Sequence, residues 1–139
     1  MIKPHDQTGD CAGLVRNYSW AETELGPLEE WPGWLLAIVR LVLDSPIVAS
    51  VAVGTRRRLI YNDEAARLYG SRHPDSFGKP LAEAFPDSYP SVADVYDRVF
   101  DGEATAVRQQ PLAVGDRGTG EIFDAFLTPV RDEGGYVRG

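Results

Sequence analysis

The sequence is poor in cysteine, histidine and lysine and has no long apolar run, and each shortage removes a class of protein. Cys11 is the single cysteine, so an internal disulfide and a multi-cysteine zinc site are both excluded. It stands in a polar lead-in and reads as a surface thiol with no role. The histidines, His5 and His73, are widely separated, which leaves no paired ligand or acid–base set. His73 lies beside Pro74 in a turn-rich stretch and reads as solvent-facing. Arginine outnumbers lysine twelve to two, and acids exceed bases to give a formal net charge of −7. Nucleic-acid binding relies on a basic surface, so no nucleic-acid partner is expected. Arg56-Arg57-Arg58 between two apolar runs reads as a solvated turn.

The longest apolar stretch, Trp34 to Leu43, is interrupted by Arg40. It is about half the ~20 residues that cross a bilayer, so no membrane insertion is expected in this segment. Met1 to Gly13 lacks the apolar centre of a signal peptide, and a cytoplasmic location is expected. No G-x-S-x-G, P-loop or H-E-x-x-H occurs, and the carboxylates are scattered. An enzyme is therefore not the expected reading. The alternative, a small stand-alone α+β enzyme, requires a polar pocket holding paired carboxylates.

At 139 residues the chain suits one domain with a real core. Residues 1–18, with Pro4, Gly9 and Gly13, read as a loose lead-in, and 19–45 as a helical flank. Pro32 opens a helix over Gly33 to Leu43, and Asp44-Ser45-Pro46 ends it. Trp34, Leu35, Leu36, Ile38, Val39, Leu41, Val42 and Leu43 spread over nearly its whole circumference, which calls for burial on every side. A homodimer through Trp34, Leu35, Ile38, Val39 and Val42 answers that demand; the alternative is a core helix in a compact monomer.

The remainder, 46–139, reads as the core domain. Ile47–Val53 and Arg58–Asn62 form a hairpin. Asp63 caps a short helix stopped by Gly70, and Leu81 to Phe85 is one helical turn. A longer helix carries Val92, Val95, Tyr96, Val99 and Phe100 at i, i+3, i+4, i+7 and i+8, one apolar stripe. Ser91 and Asp94 make a weak capping box, and Asp94 can pair with Arg98. Thr105–Val114 and Glu121–Val130 are extended, with 115–120 as their loop. Asp132 to Gly135 is a further turn, and Tyr136–Arg138 begins a last strand. The class is α+β: an antiparallel curved sheet of about five strands, the last cut short, with helices on one face.

Leu59-Ile60-Tyr61-Asn62-Asp63-Glu64-Ala65-Ala66, then Leu68-Tyr69-Gly70, Phe77-Gly78-Lys79-Pro80, and the ending Pro129…Asp132…Gly135…Gly139 together resemble the PAS family. Trp20, Leu25-Gly26-Pro27 and Trp31-Pro32 resemble the lead-in of a PAS subgroup of bacterial sensor histidine kinases. The resemblance covers about residues 19–139. It implies a sensory module that binds a small ligand, or simply dimerises, and signals to an output domain in a larger protein. That output is a histidine kinase or a cyclic-dinucleotide enzyme.

In that family the interior holds haem, flavin, another chromophore, a metabolite or nothing, so the cofactor is left unknown. Residues 71–100 contain no cysteine and Val92–Phe100 no histidine, which argues against a cysteine-linked flavin or chromophore and against haem. The pocket candidates are Val51, Val53, Tyr61, Phe85, Val95, Tyr96, Val99 and Phe100, with Phe123 or Phe126 according to register. Tyr61, Asn62 and Arg108 are the candidate polar contacts for a ligand. A ligand-free domain with the same residues filling its core is the alternative.

Overall fold

The computed structural model describes residues 10–111 and 122–139. The first described element is a helix, α1 (Cys11–Asn17), where a loose lead-in was expected. Two of its orphan N–H donors find carboxylates. Gly13 N–H donates to Asp10 Oδ1 at 3.1 Å, and Cys11 N–H to Asp63 Oδ1 at 2.8 Å. The second partner lies 52 positions away, so α1 is specified by tertiary contact and not by local pattern. Cys11 is buried, not a surface thiol. Burial and the neighbouring Asp63 carboxylate push its thiol pKa well up, which holds it neutral.

Helix α2 (Gly33–Asp44) begins after Pro32 and packs on both strands of the first hairpin. Leu35, Val39 and Val42 are its buried residues. They are part of the monomer core and are not available to a dimer interface. The adjoining stripe, Trp34, Ile38 and Leu41, opens progressively: the first two are half-buried and Leu41 is 67% exposed. Burial on every side is thus only partly met within one chain.

Strands β1 (Ser50–Val53) and β2 (Arg58–Tyr61) pair antiparallel, Ser50 with Tyr61, Val51 with Ile60, Ala52 with Leu59 and Val53 with Arg58. Directly opposed residues share a face. One face therefore carries Ser50, Ala52, Leu59 and Tyr61, and the other Val51, Val53, Ile60 and Arg58. All of β2 is buried. Its outer edge is covered by backbone: Leu59 N–H donates to the Lys79 carbonyl at 2.9 Å and Gly78 N–H to the Leu59 carbonyl at 2.7 Å. Gly78 has φ +79°, and a Cβ there would stand 2.5 Å from the Tyr18 ring, so only glycine fits.

Helices α3 (Asp63–Tyr69), α4 (Leu81–Ala84) and α5 (Tyr89–Phe100) follow. Helix α5 starts before Ser91, which lies inside it and bonds the Ser88 carbonyl in place of capping. Asp94 and Arg98 pair at 4.0 Å. Strands β3 (Thr105–Pro111) and β4 (Ile122–Leu127) pair antiparallel with a register irregularity between Val107 and Gln110. The expected loop at 115–120 and the strand ends adjoining it lie outside the described residues.

The strands fall into two two-stranded ladders, where one sheet of about five was expected. The segment 130–139, which follows β4 in the chain, folds on itself and is bonded to the turn of the first hairpin. Val130 N–H donates to the Gly139 carbonyl and Arg138 N–H to the Val130 carbonyl, each at 2.8 Å, while Gly54 N–H donates to the Arg138 carbonyl at 3.0 Å. Asp132 folds this segment into a tight turn, accepting from Gly134 and Tyr136 N–H and from Arg138 Nε. Backbone spent in that turn is lost to a ladder. Residues of the lead-in, of the 19–45 flank and of 46–139 all contribute to one core, from Cys11 and Trp20 through Leu35 to Tyr61 and Phe85. Among the described residues no helix is long and apolar enough to cross a membrane.

Candidate functional site

Tyr61 is the centre of the interior. It is fully buried and ringed edge-on by Tyr69 at 4.8 Å, Phe77 at 5.0 Å and His73 at 5.5 Å between centroids. The array continues from Tyr69 to Phe85 at 4.9 Å, and from Phe77 to Trp20 at 6.4 Å and Tyr18 at 6.5 Å. Edge-to-face pairs of this kind contribute about 0.5–1.5 kcal/mol each beyond area burial. The Tyr61 hydroxyl lies 2.7 Å from His73 Nδ1 and 2.9 Å from Ser76 Oγ. Ser76 donating to Tyr61, and Tyr61 donating to His73, uses each hydroxyl proton once. Burial pushes the Tyr61 pKa up to about 12 against the opposing Ser76 hydrogen bond, so the phenol is neutral. Burial likewise raises Tyr69 and Tyr96.

Asn62 is also buried, but none of its amide atoms faces a space. Oδ1 accepts from Ala65 N–H at 2.9 Å, capping α3, and from Ala49 N–H at 3.3 Å. Nδ2 donates to the carbonyls of Ile47 at 2.8 Å and Ser45 at 3.3 Å. One side chain therefore ties the end of the α2 flank, the entry to β1 and the start of α3 together. It has no hydrogen bond left for a ligand, contrary to the role the sequence suggested for it.

The other candidates divide. Phe85 joins the Tyr61 array through Tyr69. Val51 and Val53 point to the opposite face of the hairpin and share no pocket with Tyr61. Val95 and Val99 are the buried residues of α5, with Tyr96 half-buried and packed against the core. Phe100 lies under the Arg57 guanidinium, 4.5 Å from ring centroid to carbon. Arg108 and Phe126 are outside: Phe126 is 66% exposed, with the Arg108 guanidinium 5.3 Å over its ring. Alternation on β4 places Phe123, half-buried, on the other face, so the register excludes Phe126 from the interior.

No buried side-chain nitrogen or oxygen among the described residues lacks a partner. The surface hollows include one of about 140 Å³ over Arg72, Asp75, Ser76, Lys79, Glu83 and Ala84, and another of about 500 Å³ over Asn17, Tyr18, Ser19, Glu22 and Thr23. Neither is lined by a pocket candidate. Among the described residues no group of three His, Cys, Asp or Glu could hold a metal ion.

Sequence reasoning missed Tyr69, Phe77, His73 and Ser76 as partners of Tyr61. Tyr69 and Phe77 stood inside quoted motifs. His73, half-buried where a solvent-facing side chain was expected, carried no signal, because its approach to Tyr61 depends on the path of residues 70–77 and not on local composition. Arg58 was also missed. It is 8% exposed and bonds the Glu24 carboxylate at 2.8 and 3.0 Å and the Gly78 carbonyl at 2.9 Å.

The family model described as a PAS fold matches residues 45–139, more than half of the chain. The chain belongs to the PAS family, whose members are in general sensory or signalling modules. No curated protein matches it.

Proposed function

We propose that this chain is a cytoplasmic signalling module that works as a pair of copies and catalyses no reaction. It controls an output domain of a larger bacterial protein, a two-component sensor histidine kinase of the subgroup its lead-in resembles or a cyclic-dinucleotide enzyme. Membership of the PAS family supports the signalling role. The mode of action rests on one observation: the rings around Tyr61 pack on one another and, among the described residues, the buried side-chain polar atoms are bonded within the chain. A ligand entering there would displace packed aromatics, at a cost of several kcal/mol per ring. A signal carried by association or rearrangement of the folded module meets no such cost.

The surface offered to a second copy is the outer stripe of α2: Leu41, fully outward, with the half-buried Trp34 and Ile38 beside it at helical spacing. An isologous contact between two such stripes would complete the burial that the helix lacks in one chain. Sedimentation of the wild type and of Leu41→Glu tests this. The expected result is a dimer at micromolar concentration that Leu41→Glu shifts to monomer, the variant melting where dilute, dissociated wild type melts, because the site is exposed within one chain. A monomeric wild type, or a dimer indifferent to the charge, refutes the pairing. Saturable binding of a small molecule that shifts Tyr61, Tyr69 and Phe85 resonances would favour ligand sensing instead.

A further inference from the structure

The first hairpin turn is a junction of three elements. Gly54 N–H donates to the Arg138 carbonyl at 3.0 Å, and Leu81 N–H at the start of α4 donates to the Arg57 carbonyl at 3.0 Å. The Arg57 side chain reaches α5. One guanidinium nitrogen donates to Tyr89 Oη at 2.8 Å, the other pairs with Asp97 Oδ1 at 2.8 Å, and the group stacks on Phe100. Arg57 holds φ +54°, a left-handed conformation that non-glycine residues adopt rarely. The turn is closed by Arg57 N–H donating to the Gly54 carbonyl at 3.1 Å, so its two ends move together.

Helix α5 is otherwise held by apolar packing, with Tyr89 and Tyr96 against the core. Val95 and Val99 are its buried residues, and neither belongs to the continuous core cluster. The segment 130–139 touches both partners of the junction. Besides the Gly54–Arg138 bond, Arg131 covers the turn after α5: a Cβ on Gly102 would lie 3.1 Å from its guanidinium.

We propose that the 54–57 turn is a relay, with Arg57 as the positioning residue that couples the seating of α5 to the hydrogen bonding of segment 130–139. Displacing α5 pulls on Arg57. The closed turn then carries that displacement to Gly54, and the Gly54–Arg138 bond carries it into the 130–139 turn. The reverse path is equally open, since coupling between two sites is reciprocal. The use of such a relay rests on the signalling reading, but its existence does not. It is measured in this chain without any ligand or output domain.

Amide hydrogen exchange on the wild type, Arg57→Ala, Asp97→Asn and Tyr89→Phe tests it. In Arg57→Ala we expect exchange in α5 and at the Gly54, Val130 and Arg138 amides to accelerate together by roughly tenfold or more, the loss expected for a charge-assisted clasp. The Ala65 and Ala66 amides of α3, held by Asn62, keep their wild-type rates. Asp97→Asn and Tyr89→Phe give smaller changes at the same amides. These two decide the question if Arg57→Ala does not fold, because they leave the turn itself intact. Acceleration in α5 with Gly54 and Arg138 unchanged overturns the relay. Uniform acceleration that includes Ala66 overturns it too, since that is global loss of stability.

Discussion

Asn62→Asp separates the two halves of one buried amide. The substitution keeps shape and keeps an acceptor for Ala65 and Ala49 N–H. Asp caps helices as well as Asn, and its charge at the start of α3 contributes about 0.3–1 kcal/mol. What is lost is donation. The Ile47 carbonyl at 2.8 Å and the Ser45 carbonyl at 3.3 Å would face a carboxylate oxygen. Leaving a buried acceptor unsatisfied costs about 1–3 kcal/mol, and a buried charge beside two carbonyl oxygens adds to that. Against the dipole gain, the net loss is about 2–4 kcal/mol at pH 8. At about 3–5 °C per kcal/mol for a domain of this size, the melting temperature falls by roughly 10 °C.

Burial and the facing carbonyls raise the folded-state pKa of the introduced carboxyl above its unfolded value. A group raised in this way favours the folded state at low pH and loses that advantage as pH rises. Its protonated form can donate to Ile47 again. The gap between variant and wild type should therefore narrow from pH 8 to pH 5, read by circular-dichroism melts at both. A variant as stable as wild type at pH 8 would show that the Asn62 donors contribute nothing and would return the amide to the candidates for ligand contact.

Tyr61→Phe removes a hydroxyl held by His73 and Ser76, and urea unfolding near neutrality should show a loss of about 1–3 kcal/mol. The folded Tyr61 pKa of about 12 lies above its ordinary 10.0, so its contribution is complete below pH 10 and falls away between 10 and 12. Wild type should lose stability over that range more steeply than Tyr61→Phe, and parallel slopes would contradict the assigned burial. Burial disfavours ionisation of Glu24, but the Arg58 guanidinium outweighs it and holds the carboxyl below its ordinary 4.5. That contribution is present above pH 4.5 and lost as pH falls through the folded value, so Glu24→Gln should flatten the acid limb of the stability curve. An unchanged limb would mean that the Glu24–Arg58 pair is broken in solution.

Much of the element order was legible because it rests on local rules. Pro32 and Pro46 bracket α2, Gly70 stops α3 as expected although its N-cap is Asn62 and not the expected Asp63, and the Val95–Val99 stripe marks the buried side of α5. The closing motif was legible too, since Asp132 and Gly135 act within a few residues of each other. Helix α1 was not, because its first N–H is satisfied by Asp63. Nor was the division of the pocket candidates: Val51 and Val53 are as apolar as Tyr61, and only the strand pairing assigns them to the other face.

From its sequence alone, the chain determined most of its helix and strand boundaries to within a few residues, its turns and its family. Those follow from periodicity, caps and breakers that act over at most a turn or two. Only the tertiary structure decided which apolar residues meet and which polar atoms are already spoken for. On a helical wheel Val39 and Leu41 are simply two apolar positions. In the folded chain Val39 is core and Leu41 surface, because β1 and β2 cover one side of α2 and not the other. Contacts of that kind depend on where distant segments arrive, and no local pattern encodes the arrival.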